Sequence, residues 1–309
     1  MQAEDAMPRA AAEIMAVHLE NVWRHEAGVR GSDDPEPVHD MRVATRRLRA
    51  SYENVNGWYS RKETRGLRRG LRRLSRRLAE VRDMDVPLER ARVAAEQLPE
   101  ADLRELMARW ERRRDQGRVR LVHYLDSRDY QAWRGRFETF LRLHLPQEGT
   151  STDGTGPEAA GFEGKAKAAK PSRVCEVMPA EIWLRYGRVR AYDPLIGTAS
   201  PAQLHRLRIE IKRLRYTLEA FEAILGDGTE RLIRSLKTVQ ELLGNLHDTE
   251  VAITLVEEFQ TECATGSAEP FQQQLQISFD DLHRAFQELW SSIVGEKFRQ
   301  RLSAAVAAL

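Results

Sequence analysis

Two short segments of this chain carry the same kinds of polar residue at the same spacing. His39, Arg42, Arg46 and Arg49 recur 166 positions later as His205, Arg208, Lys212 and Arg215. Gaps of three, four and three residues put each set within an arc of about 80° on a helix. Cations along one arc repel one another by about 0.2–0.5 kcal/mol per neighbouring pair. An anion charged at several points along its length would offset that repulsion. A row of ten residues covers about 15 Å of helix, the length of several linked phosphates. Arginine suits such a ligand, because its planar guanidinium forks onto phosphate oxygens. A histidine heading each row adds a donor whose pKa rises beside phosphate. A lone histidine here would read as a helix-entry residue with a satisfied side chain. Two of them heading two matched rows favour a binding role.

The repeat continues downstream. Val81-Arg82-Asp83 through Val86 lies over Leu246-His247-Asp248 through Val251 at an offset of 165, so the turn between differs by one residue. Arg72 then matches Lys237, and Arg82 matches His247; Arg76, one turn on from Arg72, lies on the same helix. Asp83 and Asp248 are placed to orient neighbouring Arg or His by hydrogen bonds, with helix-end salt bridges as the plainer alternative. Arg114 falls at an apolar-seam position of the 103–124 segment. It either points into a groove or snorkels outward. Trp110, Trp133, Trp183 and Trp290 sit in apolar periodic segments and read as core.

Helices must position these residues, since apolar residues recur at alternating spacings of three and four almost throughout. The clearest seams are Leu67, Leu71, Leu74, Leu78, Val81; Leu204, Leu207, Ile211, Leu214, Leu218, Phe221, Leu225; and Leu232, Leu236, Val239, Leu243, Leu246. A further long helix carries Leu275, Phe279, Leu282, Phe286, Leu289 and Ile293, and Met15, Leu19, Val22 and Val29 mark a first helix. Breakers fall at GSDDPEP before Val38, at NGWYS (56–60) and at GDG (226–228). Each cationic row sits one position past its seam, so it flanks the core.

The chain has 309 residues, 41% hydrophobic, enough for a substantial core. Its net charge of +2 hides segregation: Val38 to Arg82 carries +10, leaving −8 for the rest. Such a basic stretch in an otherwise acidic chain is a footprint for a polyanion, or else arginine-rich solvated helix faces. Residues 204–247 sum to only +2, so unequal contributions from the two halves are expected. The segment 146–171 holds five Gly and three Pro with almost no large apolar residues. It predicts a flexible linker over 147–170 between an N-terminal half (1–146) and a C-terminal half (171–309). Two cysteines, Cys175 and Cys263, make no CxxC pair and no zinc or disulfide framework. No membrane-length apolar run or signal-peptide pattern is present, which makes a reducing, cytoplasmic setting the expectation.

The duplicated pattern H-x-x-R-[VI]-x-x-[RK]-R-L-R, with a second helix ending in an Arg-Asp or His-Asp pair, resembles the CHAD family, the conserved histidine α-helical domain. The likeness runs from about residue 5 to 300. It implies an all-α fold of two pseudo-twofold-related four-helix bundles around a basic central groove or pore. It also implies a non-catalytic module, with no cofactor and no metal, that binds inorganic polyphosphate or other phosphate polyanions. Association with polyphosphate granules in the cytoplasm would follow. Carried onto this sequence, the contacts are His39, Arg42, Arg46, Arg49 and Arg72, then His205, Arg208, Lys212, Arg215 and Lys237. Arg76, Arg82, Arg114 and His247 complete the candidate set.

Two rival readings remain. His39-Asp40 and His247-Asp248 raise a metal-dependent phosphohydrolase of the all-helical HD type, which needs several ligands converging on a metal. Asp40 is matched by Arg206 and His247 by Arg82, and cations at ligand positions suit phosphate better. No GxxxxGK[ST], HExxH, GxSxG or tunnel-type ExExK cluster occurs. Nucleic acid is the stronger rival, because its phosphates attract the same arginines. A narrow groove beside a seam favours a thin chain over a duplex, and no aromatics interleave with the arginines for base stacking.

Overall fold

The computed structural model describes residues 1–31, 34–55, 58–145, 172–263 and 266–309. Among them the chain is all-α; its one β feature is an isolated antiparallel bridge between Ala6 and Arg173. The helices are α1 (Met7–Arg24), α2 (Glu26–Gly31), α3 (Glu36–Val55), α4 (Arg61–Gln97), α5 (Arg104–Asp126) and α6 (Arg128–His144). After the predicted linker come α7 (Val174–Arg190), α8 (Pro201–Phe221), α9 (Thr229–Cys263), α10 (Glu269–Val294) and α11 (Glu296–Val306). The linker itself lies outside the described residues. No helix among them is long and apolar enough to cross a membrane.

Two helix pairs carry the repeated residues, α3 with α4 and α8 with α9. Local chemistry explains their starts. Ser60 caps α4 and Ser200 caps α8, each in a reciprocal capping box, with Glu63 and with Gln203. Such boxes satisfy backbone donors that the first helical turn leaves unpaired. Pro201, at the first position of α8, has no amide hydrogen to waste there.

The predicted seams of α4, α8 and α9 are core, whereas in α10 Leu275, Phe286 and Ile293 are buried and Phe279, Leu282 and Leu289 only partly so. Leu67, Leu71, Leu74, Leu78 and Val81 of α4 are buried, as are Leu204, Leu207, Ile211, Leu214 and Leu218 of α8 and Leu232, Leu236, Val239, Leu243 and Leu246 of α9. At about 1.5–3 kcal/mol for each buried aliphatic side chain, these rows dominate the stability of the fold. A second apolar cluster packs the far ends of α4 and α5, through Met84, Leu88 and Trp110, against α9 and α10, through Val256, Phe259 and Phe271. Both this cluster and the main one draw residues from both halves of the sequence.

Two local expectations need correction. Met15, Leu19, Val22 and Val29 do not share one helix: His25 interrupts it, and Val29 lies on α2. Trp183 is not core. It is 36% exposed, because α7 buries the face of Met178, Ile182, Tyr186 and Val189 and Trp183 lies one position past it. Trp110, Trp133 and Trp290 are buried as expected. Trp133 shows how closely α6 approaches α4. Its indole Nε1 donates to the Leu67 carbonyl at 3.1 Å, and a Cβ at Gly70 would stand only 1.9 Å from its ring.

Candidate functional site

A cavity of about 580 Å³ lies among α3, α4, α8 and α9. Nine of the predicted residues line it: His39, Arg42, Arg46, Arg49, Arg82, His205, Arg208, Lys212 and His247. They come from both halves of the sequence and meet because α3 packs against α8 while each seam buries itself alongside. The lining holds seven Arg or Lys side chains against three acids, Glu53, Asp83 and Asp248. A ligand in this space therefore meets a net positive field.

The acids position the cations. Arg42 donates to Asp83 Oδ1 at 3.0 Å, the orienting role expected for that aspartate. Arg49 donates to Glu53 at 3.0 Å, and Arg213 stands 3.7 Å from the same carboxylate. Arg82 pairs at 3.6 Å with Asp85, whose buried carboxylate lines a separate cavity. Arg46 crosses from α3 to α8 and donates Nε–H to the Tyr216 hydroxyl at 2.8 Å.

Arg208 and Lys212 are differently placed. Arg208 Nε has no hydrogen-bond partner among the described residues. Burial pushes the Arg208 guanidinium's pKa down, Asp248 opposes that, and Arg46 and Arg42 add to the depression. Lys212 matches Arg46 in the repeat. Tyr216, which receives Arg46, is matched by Ala50, so no equivalent acceptor faces the lysine. Burial first, then the Arg46, Arg208 and Arg49 charges, bring Lys212 down to about 8, with Glu53 opposing.

The histidines are also held toward neutrality. His39 is lowered by burial, then by Arg82 and Arg46, against Glu36 and Asp40. His205 is lowered by burial, then by His247, Arg208 and Lys212. The His205 and His247 rings tilt against each other with centroids 4.5 Å apart. Nδ1 of each is buried without a hydrogen-bond partner among the described residues; His247 Nδ1 stands 3.6 Å from Glu250. The cavity thus presents cations and potential donors whose charge the empty protein opposes.

Five predicted residues lie elsewhere. Arg215 turns inward: it is 6% exposed, donates to Gln240 at 3.0 Å and pairs with Glu219. Gln240 lines the cavity in its place. Lys237 is exposed a turn before Gln240 and stands 3.8 Å from Glu241. Arg76 is exposed on α4 between the lining residues Ser75 and Ala79, to one side of the face that lines the cavity. Arg72 lines a shallow depression next door with Arg49, Glu53 and Arg68. Arg114 is bound to Asp115 at 2.8 Å and faces a separate cavity with Asp85, Arg118 and His123. It does not line the central one: α5 packs chiefly on α4 and α6, and α4 stands between it and that cavity.

Sequence reasoning missed Arg213, Glu53, Gln240 and the apolar floor. The repeat itself held the signal for several of these. Val43 matches Ile209 and Val86 matches Val251, and all four line the cavity. No group of three or more His, Cys, Asp or Glu among the described residues is placed to hold a metal ion.

Comparison with known proteins agrees with this architecture. The family model of the CHAD domain matches residues 13–257. No curated protein matches the chain. Among solved structures, the chain is similar to the crystal structure of the CHAD domain from the plant Ricinus communis. There the identity is 22% and the TM-score 0.64, over 98% of this chain and 94% of that one. It is also similar to PptA from Streptomyces chartreusis, at 16% identity and a TM-score of 0.66, over 93% of this chain and all 100% of the other. At these identities the likeness is one of fold. Because the family model covers well over half of its length, the chain belongs to the CHAD domain family.

Proposed function

We propose that the central cavity binds inorganic polyphosphate and that the protein is a binding module without catalytic activity. The observation that carries this reading is the convergence of both cationic rows on one space with a large excess of positive charge. Arg208 Nε and Nδ1 of His205 and His247 are buried there without hydrogen-bond partners among the described residues, which suits a ligand rich in hydrogen-bonding oxygens. Apart from histidine, no aromatic residue among the described ones lines the cavity, so bases would find no stacking platform there.

The test is a binding titration of long polyphosphate, triphosphate, single-stranded DNA and duplex DNA at matched salt. Polyphosphate should bind most tightly, without added divalent metal and without release of orthophosphate over time. R42E/R46E should remove binding while leaving helical content intact, since both side chains flank the seam. R208E/K212E should do the same less severely, given the weaker net charge of that half. Metal-dependent phosphate release abolished at His247 or Asp248 would favour a hydrolase. Equal affinity for duplex DNA, lost with R69E/R73E and kept in R42E/R46E, would favour a nucleic-acid binder.

A further inference from the structure

The cavity is not symmetrical at its ends. Its α4 wall is made by Ser75, Ala79, Asp83 and Val86. Continued toward the start of α4, that face carries Arg65, Arg68 and Arg72, and Arg76 flanks it beside Ser75; all four are exposed. None of these four forms an ion pair or hydrogen bond among the described residues. Arg68 and Arg72 line a shallow depression together with Arg49 and Glu53, and both of the latter also line the cavity. The cationic surface therefore runs without a break from the cavity onto α4. Arg65 to Arg76 spans about 16 Å of helix, as long as a cationic row within the cavity.

The second half has no counterpart. At the repeat offset of 165, the same positions on α9 are Glu230, Ile233, Lys237 and Glu241. Two are acids, and both are committed: Glu230 pairs with Arg234 at 2.5 Å and Glu241 stands 3.8 Å from Lys237, while the exposed Arg231 lies off these positions. A polyanion too long for the cavity meets four uncommitted arginines at one end and a largely neutralised surface at the other.

We propose that Arg65, Arg68, Arg72 and Arg76 form a one-sided track that holds the overhang of a phosphate polymer whose leading segment occupies the cavity. The track gives the bound polymer a single exit and makes affinity grow with chain length. It rests on the polyphosphate reading above, and deepens it by distinguishing long chains from short ones.

The experiment measures affinity for long polyphosphate and for tripolyphosphate in the full chain and in two charge-matched variants, R68E/R72E on α4 and R231E/R234E on α9. R68E/R72E should weaken long-chain binding by about tenfold or more, as expected for losing several phosphate contacts, with tripolyphosphate nearly unchanged. R231E/R234E should change either affinity by less than about threefold, since its charges lie off the track. Equal losses in the two variants would reduce the effect to net charge and overturn the track. So would an equal loss for long and short ligands, or a loss for single-stranded DNA with long-chain polyphosphate unaffected. If the glutamates disturb folding, R68Q/R72Q replaces them, with circular dichroism as the check. A parent protein that binds neither phosphate ligand would overturn the polyphosphate reading itself, a result distinct from one in which the parent binds and R68E/R72E behaves like it.

Discussion

Lys212 shows how the site opposes the fold that carries it. It is half-buried, forms no ion pair or hydrogen bond among the described residues, and faces Arg46, Arg208 and Arg49 with Glu53 opposing them. Lys212→Met keeps the aliphatic stem and removes the charge. It should raise the melting temperature of the free protein by roughly 1–4 °C, a gain of about 1 kcal/mol or less, while weakening polyphosphate binding. Differential scanning calorimetry and a titration on the same sample would check both; a lower melting temperature would contradict the placement of the lysine. The histidines add a pH dependence of defined sign. His39, His205 and His18 all have folded-state pKa values below 6.5, that of His18 near 4 through burial and the Arg47 charge. Below pH 6.5 the unfolded chain therefore binds more protons than the folded one, and the free protein should lose stability as pH falls toward 4. Phosphate beside His39 and His205 pulls their pKa values upward, so binding takes up protons and affinity should increase over the same range. Thermal melts at pH 7.5 and 5.5 should show a larger polyphosphate-induced stabilisation at the lower pH, and no difference would refute proton uptake.

At the scale of elements, α3 and α8 are joined by matched pairs. Arg47 of α3 stands 4.0 Å from Glu219 of α8, and Arg213 of α8 stands 3.7 Å from Glu53 of α3. Arg47 matches Arg213 and Glu53 matches Glu219 at the 166 offset. Reciprocity of this kind is what a self-complementary contact between repeated units requires. Exposed pairs of this sort contribute little energy each; their effect is to set how the two rows face each other. Elsewhere the elements are held by shape. Gly70 lets Trp133 lie against α4, and Gly70→Ala should cost about 1–3 kcal/mol by overpacking. Urea denaturation would measure that loss. Polyphosphate affinity should be unaffected under conditions where the variant is folded, because the contact lies on the seam side of α4.

For the whole molecule, the electrostatic asymmetry outweighs the small net charge. A +10 stretch inside a chain of net +2 gives a local field that salt screens. Raising salt from about 50 to 200 mM should cut polyphosphate affinity by about 10³-fold or more if six or more phosphates are neutralised. That relation was established for nucleic acids and is carried over by analogy. Isothermal titration across salt would give the slope, and a flat response would exclude a polyanion held mainly by charge.

Much of this was legible in one dimension. Periodicity alone marked the helices, because burying a stripe every three to four residues is the only way such a chain can remove its leucines from water. The 166-residue repeat located both cationic rows, and nine of the fourteen predicted residues meet in one cavity. What a helical repeat cannot tell is where along its axis a neighbouring helix stops covering it. Arg72 and Lys237 lie on the right helices but beyond the cavity's end, Arg76 lies to one side of the lining face, and Arg114 sits on a helix that α4 separates from it. Arg215 shares the arc of its row, yet Glu219 and Gln240 draw it inward. Nor could spacing assign the lowered pKa of Lys212 or the contact of His205 with His247. Both depend on distances between helices that are far apart in the chain, and only tertiary packing sets those distances.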